Sequence, residues 1–209
     1  MTRSDVMQLV AWVLALCAVV VVTITSCDTG DESTKPPAPQ CQQLSDAQFR
    51  NASIAFGELQ ALGATDKEME DAFIAAWTET EFVNYANSGS GKNGELKKDQ
   101  DGGAIAQSRE HLLSDGLPSE AGMSHDGDHG SLGIFQQQFP WWGTIDELMN
   151  PATATRKFVE KYRETGGNDK PTPRAIQDVQ QSAVADGSNY KRGEFGGKCA
   201  LKAVSEAKI

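Results

Sequence analysis

Apolar and polar positions divide the chain into three stretches before any residue has a role. Leu9 to Val22 is an unbroken apolar run of 14 residues, short for a membrane span and the right length for the apolar centre of a signal peptide. Asp28 to Gln40 is polar, carries three prolines and has nothing to bury, which predicts an extended tether. At about 3.3 Å per residue, such a tether reaches roughly 40 Å. From Cys41 onward the pattern is mainly helical. Ser45-Asp46-Ala47-Gln48 has capping-box form and predicts a helix to about Leu62, with Gly63 as its stop. Thr65-Asp66-Lys67-Glu68 repeats the signal, and Met69, Ala72, Phe73, Ala76, Trp77 and Thr80 follow at three- and four-residue steps.

Residues 85 to 127 lose this periodicity. SGSGKNG and DQDGG are linker-like, with one helical turn expected near Gln107 to Leu113. A loop of this length is functional or mobile, and its glycines predict order only against a ligand. Thr144-Ile145-Asp146-Glu147 then predicts a short helix. Asn150-Pro151 opens another, with Ala152, Thr155, Phe158, Val159 and Tyr162 on one face and Gly166-Gly167 as its end. Thr172-Pro173 opens the last, through Ile176, Val179 and Ala183, and residues 200–209 read as a C-terminal tail. Between the two halves, Ser131 to Gln138 alternates apolar residues into three glutamines and is followed by Trp141 and Trp142. Amides that donate and accept, beside flat indole faces, suit a sugar-binding cleft.

Composition narrows the choices. The 209 residues allow one domain plus appendages, and 39% hydrophobic residues suffice for a core. A net charge of −10 argues against nucleic acid as a partner. The apolar run ends in Ile24-Thr25-Ser26-Cys27, which resembles a bacterial lipobox, so residues 1–27 read as a signal peptide with lipid attachment at Cys27. An uncleaved signal anchor over Leu9 to Thr25 is the alternative. Either reading exports the remainder to the outer face of the cytoplasmic membrane. Cys17 lies inside the apolar run, which leaves Cys41 and Cys199 in an oxidising compartment. A disulfide between them would tie the ends of the domain, 41–199, together.

Glu79 follows Ala72 and Ala76 on the small-residue face of its helix, near Trp77 and Phe82. Desolvation there would raise its pKa and favour a general acid. Glu81 competes with it, and a solvated helix end explains either glutamate more simply. His125-Asp126-Gly127-Asp128-His129 has metal-binding residue types, but an EF-hand frame from Asp126 places Gln137 where a glutamate is required. No metal and no cofactor are expected.

Three ordered motifs carry a resemblance. Glu79-Thr80-Glu81-Phe82-Val83-Asn84, then Asp128-His129-Gly130-Ser131-Leu132-Gly133-Ile134-Phe135-Gln136-Gln137, then Trp142-Gly143-Thr144 through Met149-Asn150-Pro151, resemble an actinobacterial and actinophage lysozyme-like family. This family is similar to the lytic transglycosylase and goose-type lysozyme superfamily. Asn51-Ala52, Gly57, Phe158, the Ala175 to Ser182 run and Tyr190 extend the likeness over about residues 44 to 190.

The resemblance implies a mainly α, lysozyme-like α+β fold, with a small β-like segment lining a glycan cleft and the 85–127 loop as an insertion. It implies peptidoglycan as substrate and Glu79 as the catalytic acid/base, with Thr80 where the family has serine. Ser131, Gly133, Phe135, Gln136, Gln137, Trp141 and Tyr190 are then expected with Thr80 in substrate binding, and Trp142 in packing. Glycosidases usually use two carboxylates, and Asp128 is the possible second. Without it, the sugar's own 6-hydroxyl closes on the anomeric carbon, as in lytic transglycosylases; with it, water does. A non-catalytic lysozyme-fold lipoprotein that binds wall glycan or a phage or secretion component is the alternative. The expected partners are glycan strands and the membrane, on a monomer.

Overall fold

The structure, a computed structural model, describes residues 39–90, 96–124, 126 and 129–207. The chain divides into two units, Met1–Pro39 and Gln40–Ile209, and the second holds all the helices and strands described. Cys27, most of the 28–40 tether and Asp128 lie outside the described residues. Among the described residues, no helix is long and apolar enough to cross a membrane.

The domain is mainly helical. α1 spans Asp46–Ala61 and α2 spans Asp66–Thr80, each opened by a complete capping box, from Ser45 with Gln48 and from Thr65 with Glu68. α3 is the short Gly102–Ala106. Two-residue strands β1 (Ser131–Leu132) and β2 (Gln137–Gln138) pair antiparallel, with Ser131 opposite Gln138 and Leu132 opposite Gln137. α4 (Ile145–Met149) is capped by Thr144, and α5 (Pro151–Glu164) by the Asn150 side chain. α6 is Thr172–Gln180 and α7 is Ser188–Glu206. Phe56, Phe73 and Phe82 form one aromatic file through the core, and Phe135 stacks on Phe158 with ring centroids 4.9 Å apart. A smaller cluster of Ala86, Leu117, Leu132, Leu148 and Met149 sits beneath the β-hairpin.

α7 corrects the expected ending of the domain. It is the longest helix described, and Ala200 and Val204 within it are fully buried, so 200–206 is core structure and not a tail. Gly193, Gly196 and Gly197 weaken it as an isolated helix, each by about 1 kcal/mol relative to alanine, which is why periodicity alone does not reveal it. Its glycines instead permit close packing on α2. A Cβ on Gly193 would stand 2.0 Å from Thr78 Oγ1, and one on Gly197 would stand 2.7 Å from Ile74 Cα. Tyr190, Gly193 and Gly197 share one face of α7, so this seam brings the Tyr190 side chain to the end of α2.

The seam yields a test. Gly197→Ala gains about 1 kcal/mol of helix propensity. Against that, the new methyl meets the Ile74 backbone, which cannot rotate away, and overpacking of this kind costs about 1–3 kcal/mol. The expected outcome is a net loss of about 1 kcal/mol in denaturant titration. A more stable variant would show that the two helices have room to separate.

The described residues of the 85–127 segment make specific contacts with the rest of the domain. Gln100 Nε2 donates to the carbonyls of His129 and Phe139, both at 2.6 Å. Ile105 is fully buried. The Asp115 carboxylate pairs with Arg50 and accepts from Asn51 Nδ2 at 2.7 Å and the Asn84 amide at 2.8 Å. Among its described residues, short 3-10 turns at Gln107–Glu110 and Pro118–Ala121 add to α3.

Cys41 and Cys199 form a disulfide that closes a span of 158 residues.

Candidate active site

Glu79 occupies the last turn of α2. The chain then turns sharply, with both Glu81 (φ 53) and Phe82 (φ 65) in the left-handed region. Neither is glycine, so the turn holds strain of order 1 kcal/mol or more per residue. Three contacts impose it. Phe82 is fully buried against Phe73, Asn51 Nδ2 donates to the Phe82 carbonyl at 2.8 Å, and Thr80 Oγ1 donates to the Ile134 carbonyl at 2.9 Å. The helix therefore ends where Glu79 still projects from it and the β-hairpin is already docked.

Two donors converge on one oxygen of Glu79. Tyr190 Oη donates to Oε1 at 2.8 Å, and Gln180 Nε2 reaches the same atom at 3.4 Å while donating to the Phe135 carbonyl at 2.8 Å. Burial raises the Glu79 pKa above the ordinary carboxyl value, and the Tyr190 and Gln180 hydrogen bonds only partly oppose it. Tyr190 is fully buried, and burial together with the Glu79 charge pushes its pKa up, so it remains a phenol donor. With Oε1 accepting twice, the proton of a neutral Glu79 belongs on Oε2.

The carboxylates nearer the start of α2 are held differently. Glu68 is pulled down to about 2, chiefly by the Arg163 guanidinium, which bonds it at 2.8 and 2.9 Å. Asp71 accepts from Tyr162 Oη, Thr172 Oγ1 and Lys67 Nζ at 2.6 to 2.7 Å. Those carboxylates are saturated and structural. Glu79 alone of the three has an oxygen without a donor among the described residues.

Glu79 lines a depression of about 360 Å³ together with Thr78, Glu81, Asn189 and Arg192. Gln180 also lines a groove of about 620 Å³, together with Gln136, Gln137, Gln138, Trp141, Trp142, Gln181, Lys97 and Lys161. That volume is within the ordinary range for a small-ligand site. Trp141 is 51% exposed, with Lys97 Nζ 4.7 Å from its ring centre. Trp142 lines the groove but also packs against both apolar clusters. Gln136 bonds back to the Gly133 carbonyl at 3.1 Å. Gln137 is almost wholly buried; its Nε2 donates to the Ala154 carbonyl at 3.3 Å, and its Oε1 has no partner among the described residues.

Several residues expected in the cleft belong to its scaffold instead. The Thr80 hydroxyl is consumed by the Ile134 and Ala76 carbonyls. The Phe135 ring is buried against Phe158, and only its carbonyl serves the site, through Gln180. Ser131 is buried in the β-pair, its carbonyl accepting from Asn87 Nδ2 at 3.2 Å. Gly133 is present because a Cβ would stand 2.1 Å from the Leu148 carbonyl oxygen, at φ +74. Within the hairpin, left-handed residues at Gly133 and Gln136 break the alternation and the Phe135 ring turns inward, whereas Thr80 is held on α2 by its own hydrogen bonds.

Gln180, Asn189, Arg192 and Lys97 were not apparent as site residues from the sequence. Gln180 lies in the matched Ala175 to Ser182 run and Asn189 adjoins Tyr190, so both had a positional signal. Arg192 and Lys97 had none. No protein-family model matches the chain, and no curated protein matches its sequence.

Proposed function

We propose that the chain cleaves the glycan strands of peptidoglycan between N-acetylmuramic acid and N-acetylglucosamine, with Glu79 as acid and base on a lysozyme-like domain. The observation that carries this reading is a desolvated carboxyl, oriented by Tyr190 and Gln180, beside a groove of amides and an exposed indole. Lipid on Cys27 would hold the enzyme at the outer face of the cytoplasmic membrane.

The chemistry follows from one acid. Glu79 Oε2–H protonates the glycosidic oxygen, the bond from that oxygen to the anomeric carbon breaks, and positive charge develops on the sugar ring. The resulting carboxylate then removes a proton from the nucleophile. If that is the muramic 6-hydroxyl, a 1,6-anhydro ring closes and no water is consumed. If it is water, a reducing end forms. The single-acid route, a lytic transglycosylase, is the simpler one for the described residues. Gln180 and Tyr190 act as positioning residues by keeping Oε1 engaged in both steps.

Digestion of purified peptidoglycan by the full chain tests the reading. Anhydro-muropeptides identify a lyase and reducing ends a hydrolase; intact glycan after prolonged incubation would leave the non-catalytic binding reading in its place.

The direction of the Glu79 shift makes a second prediction. A general acid works protonated, so a raised pKa extends activity to higher pH, and kcat/KM should fall tenfold per pH unit above it. Stability moves with it. The folded state holds the Glu79 proton more tightly than the unfolded chain, so this contribution is complete below the ordinary carboxyl pKa of about 4.3 and is lost as pH rises through the folded value. Glu79→Gln should therefore gain melting temperature relative to the parent as pH rises from about 4 to about 8. A constant difference across that range would show that Glu79 does not titrate abnormally.

A further inference from the structure

Four of the α-helices described run into a residue in the left-handed region. α1 and α5 meet a glycine there, Gly63 and Gly166, but α2 and α6 meet Glu81 and Gln181. Those two helices are the ones that deliver Glu79 and Gln180 to the site. Left-handed backbone crowds any Cβ and so favours glycine. At φ 49, Gln181 is therefore held by something outside itself. At the end of α2, contacts of Asn51, Thr80 and Phe82 do this. At the end of α6 the holding group is Gln177.

Gln177 is buried, one helical turn before Gln181. Its Nε2 donates to the Ser182 carbonyl at 3.0 Å, and its Oε1 accepts from Ser182 Oγ at 2.7 Å. The Gln181 amide donates to the Gln177 carbonyl at 2.8 Å. Both ends of one carboxamide thus hold the residue that follows Gln181, and the turn is closed. Gln180, just before it, gains a fixed direction, with Nε2 2.8 Å from the Phe135 carbonyl and 3.4 Å from Glu79 Oε1. A bond of 3.4 Å is near the limit of hydrogen bonding, so a small swing of the turn breaks it. Gln177 also abuts the opening of α7. A Cβ on Gly187 would stand 3.1 Å from Gln177 Cβ, and the Gly187 carbonyl accepts from the Tyr190 amide at 3.0 Å.

We propose that Gln177 is a positioning residue of the site: its carboxamide locks the left-handed turn at Gln181 and so keeps Gln180 on Glu79 Oε1. The proposal rests on the reading of Glu79 as the acid. The Gln180 bond favours the ionised form of Glu79. Losing it raises the pKa of the acid further and leaves the carboxylate less well placed for the second step. Tyr190 is bonded to Glu79, and Glu81 and Arg192 line the same depression; all three stay unaltered when the clamp is removed. A clamp that served folding alone would change stability and leave the titration of the acid where it is.

The test follows the Glu79 carboxyl by carboxyl-carbon NMR titration of the full chain, alongside muropeptide release. Q177M nearly keeps the side-chain volume and removes both bonds. It is expected to raise the Glu79 pKa by about half a pH unit and to lower kcat about tenfold, with KM changed by less than about twofold. S182A removes one of the two bonds at a half-buried position. It should shift both quantities the same way by less, and it decides the matter if Q177M does not fold. Q181G supplies a residue that takes up the turn unaided, so adding Q177M to Q181G should change kcat by less than about twofold and leave the pKa in place. An unshifted Glu79 in Q177M and S182A, or a shift undiminished in the Q181G background, overturns the inference. A parent that releases no muropeptide would instead overturn the glycan reading, and the titration, which needs no substrate, still decides the clamp.

Discussion

Glu79→Gln should lower the release of soluble muropeptides from peptidoglycan by about a thousandfold, the scale of removing a general acid that serves in both halves of a reaction. The amide keeps the shape of the carboxyl and still presents an oxygen to Tyr190 Oη, which lies 2.8 Å from Oε1 in the parent, so the fold should persist. It cannot deliver a proton. Initial rates and thermal melting, measured on the same preparations, separate chemistry from folding. Lost activity with an unchanged or higher melting temperature supports the assignment. Equal product from both proteins would remove Glu79 from the mechanism, and Glu81, which lines the same depression, would be the next carboxylate to test.

Breaking the Cys41–Cys199 bond should have the largest effect on stability. In the chain-entropy picture, cross-linking residues 158 apart restricts the unfolded ensemble by about 5 kcal/mol. For a domain of this size each kcal/mol moves the melting temperature by about 2–4 °C, so a double Cys→Ser variant should melt roughly 15 °C lower. Its activity at low temperature should survive, because Tyr190 is located by the glycine seam with α2 and not by the disulfide. A drop below about 3 °C would mean that the unfolded chain is already compact, or that its two ends are held together by other contacts.

Local signals in the sequence predicted local structure well. The Ser45, Thr65 and Thr144 capping boxes each open a helix where expected, and Asn150-Pro151 opens a fourth. The disulfide followed from which cysteines remained once the export segment was set aside. Glu79 and Tyr190, 111 residues apart in the chain, meet at the end of α2.

Features that escaped the sequence depend on packing between distant segments. α7 is a poor helix by propensity and a good one only against α2. Thr80 and Phe135 were expected at the substrate because residue type says nothing of orientation; hydrogen bonds to the Ala76 and Ile134 carbonyls decide it for Thr80, and two left-handed residues in the hairpin for Phe135.

The disulfide has a mechanical consequence as well. Cys41 lies five residues ahead of α1, and its partner Cys199 sits in the middle of α7. Tension applied from the N-terminal side of the chain would therefore divide at Cys41 and pass partly across the sulfur bridge into α7. That helix carries Tyr190, so the element bearing the load is also the one that orients the acid. Such a pull would load α7 where Gly193 and Gly197 lie against α2.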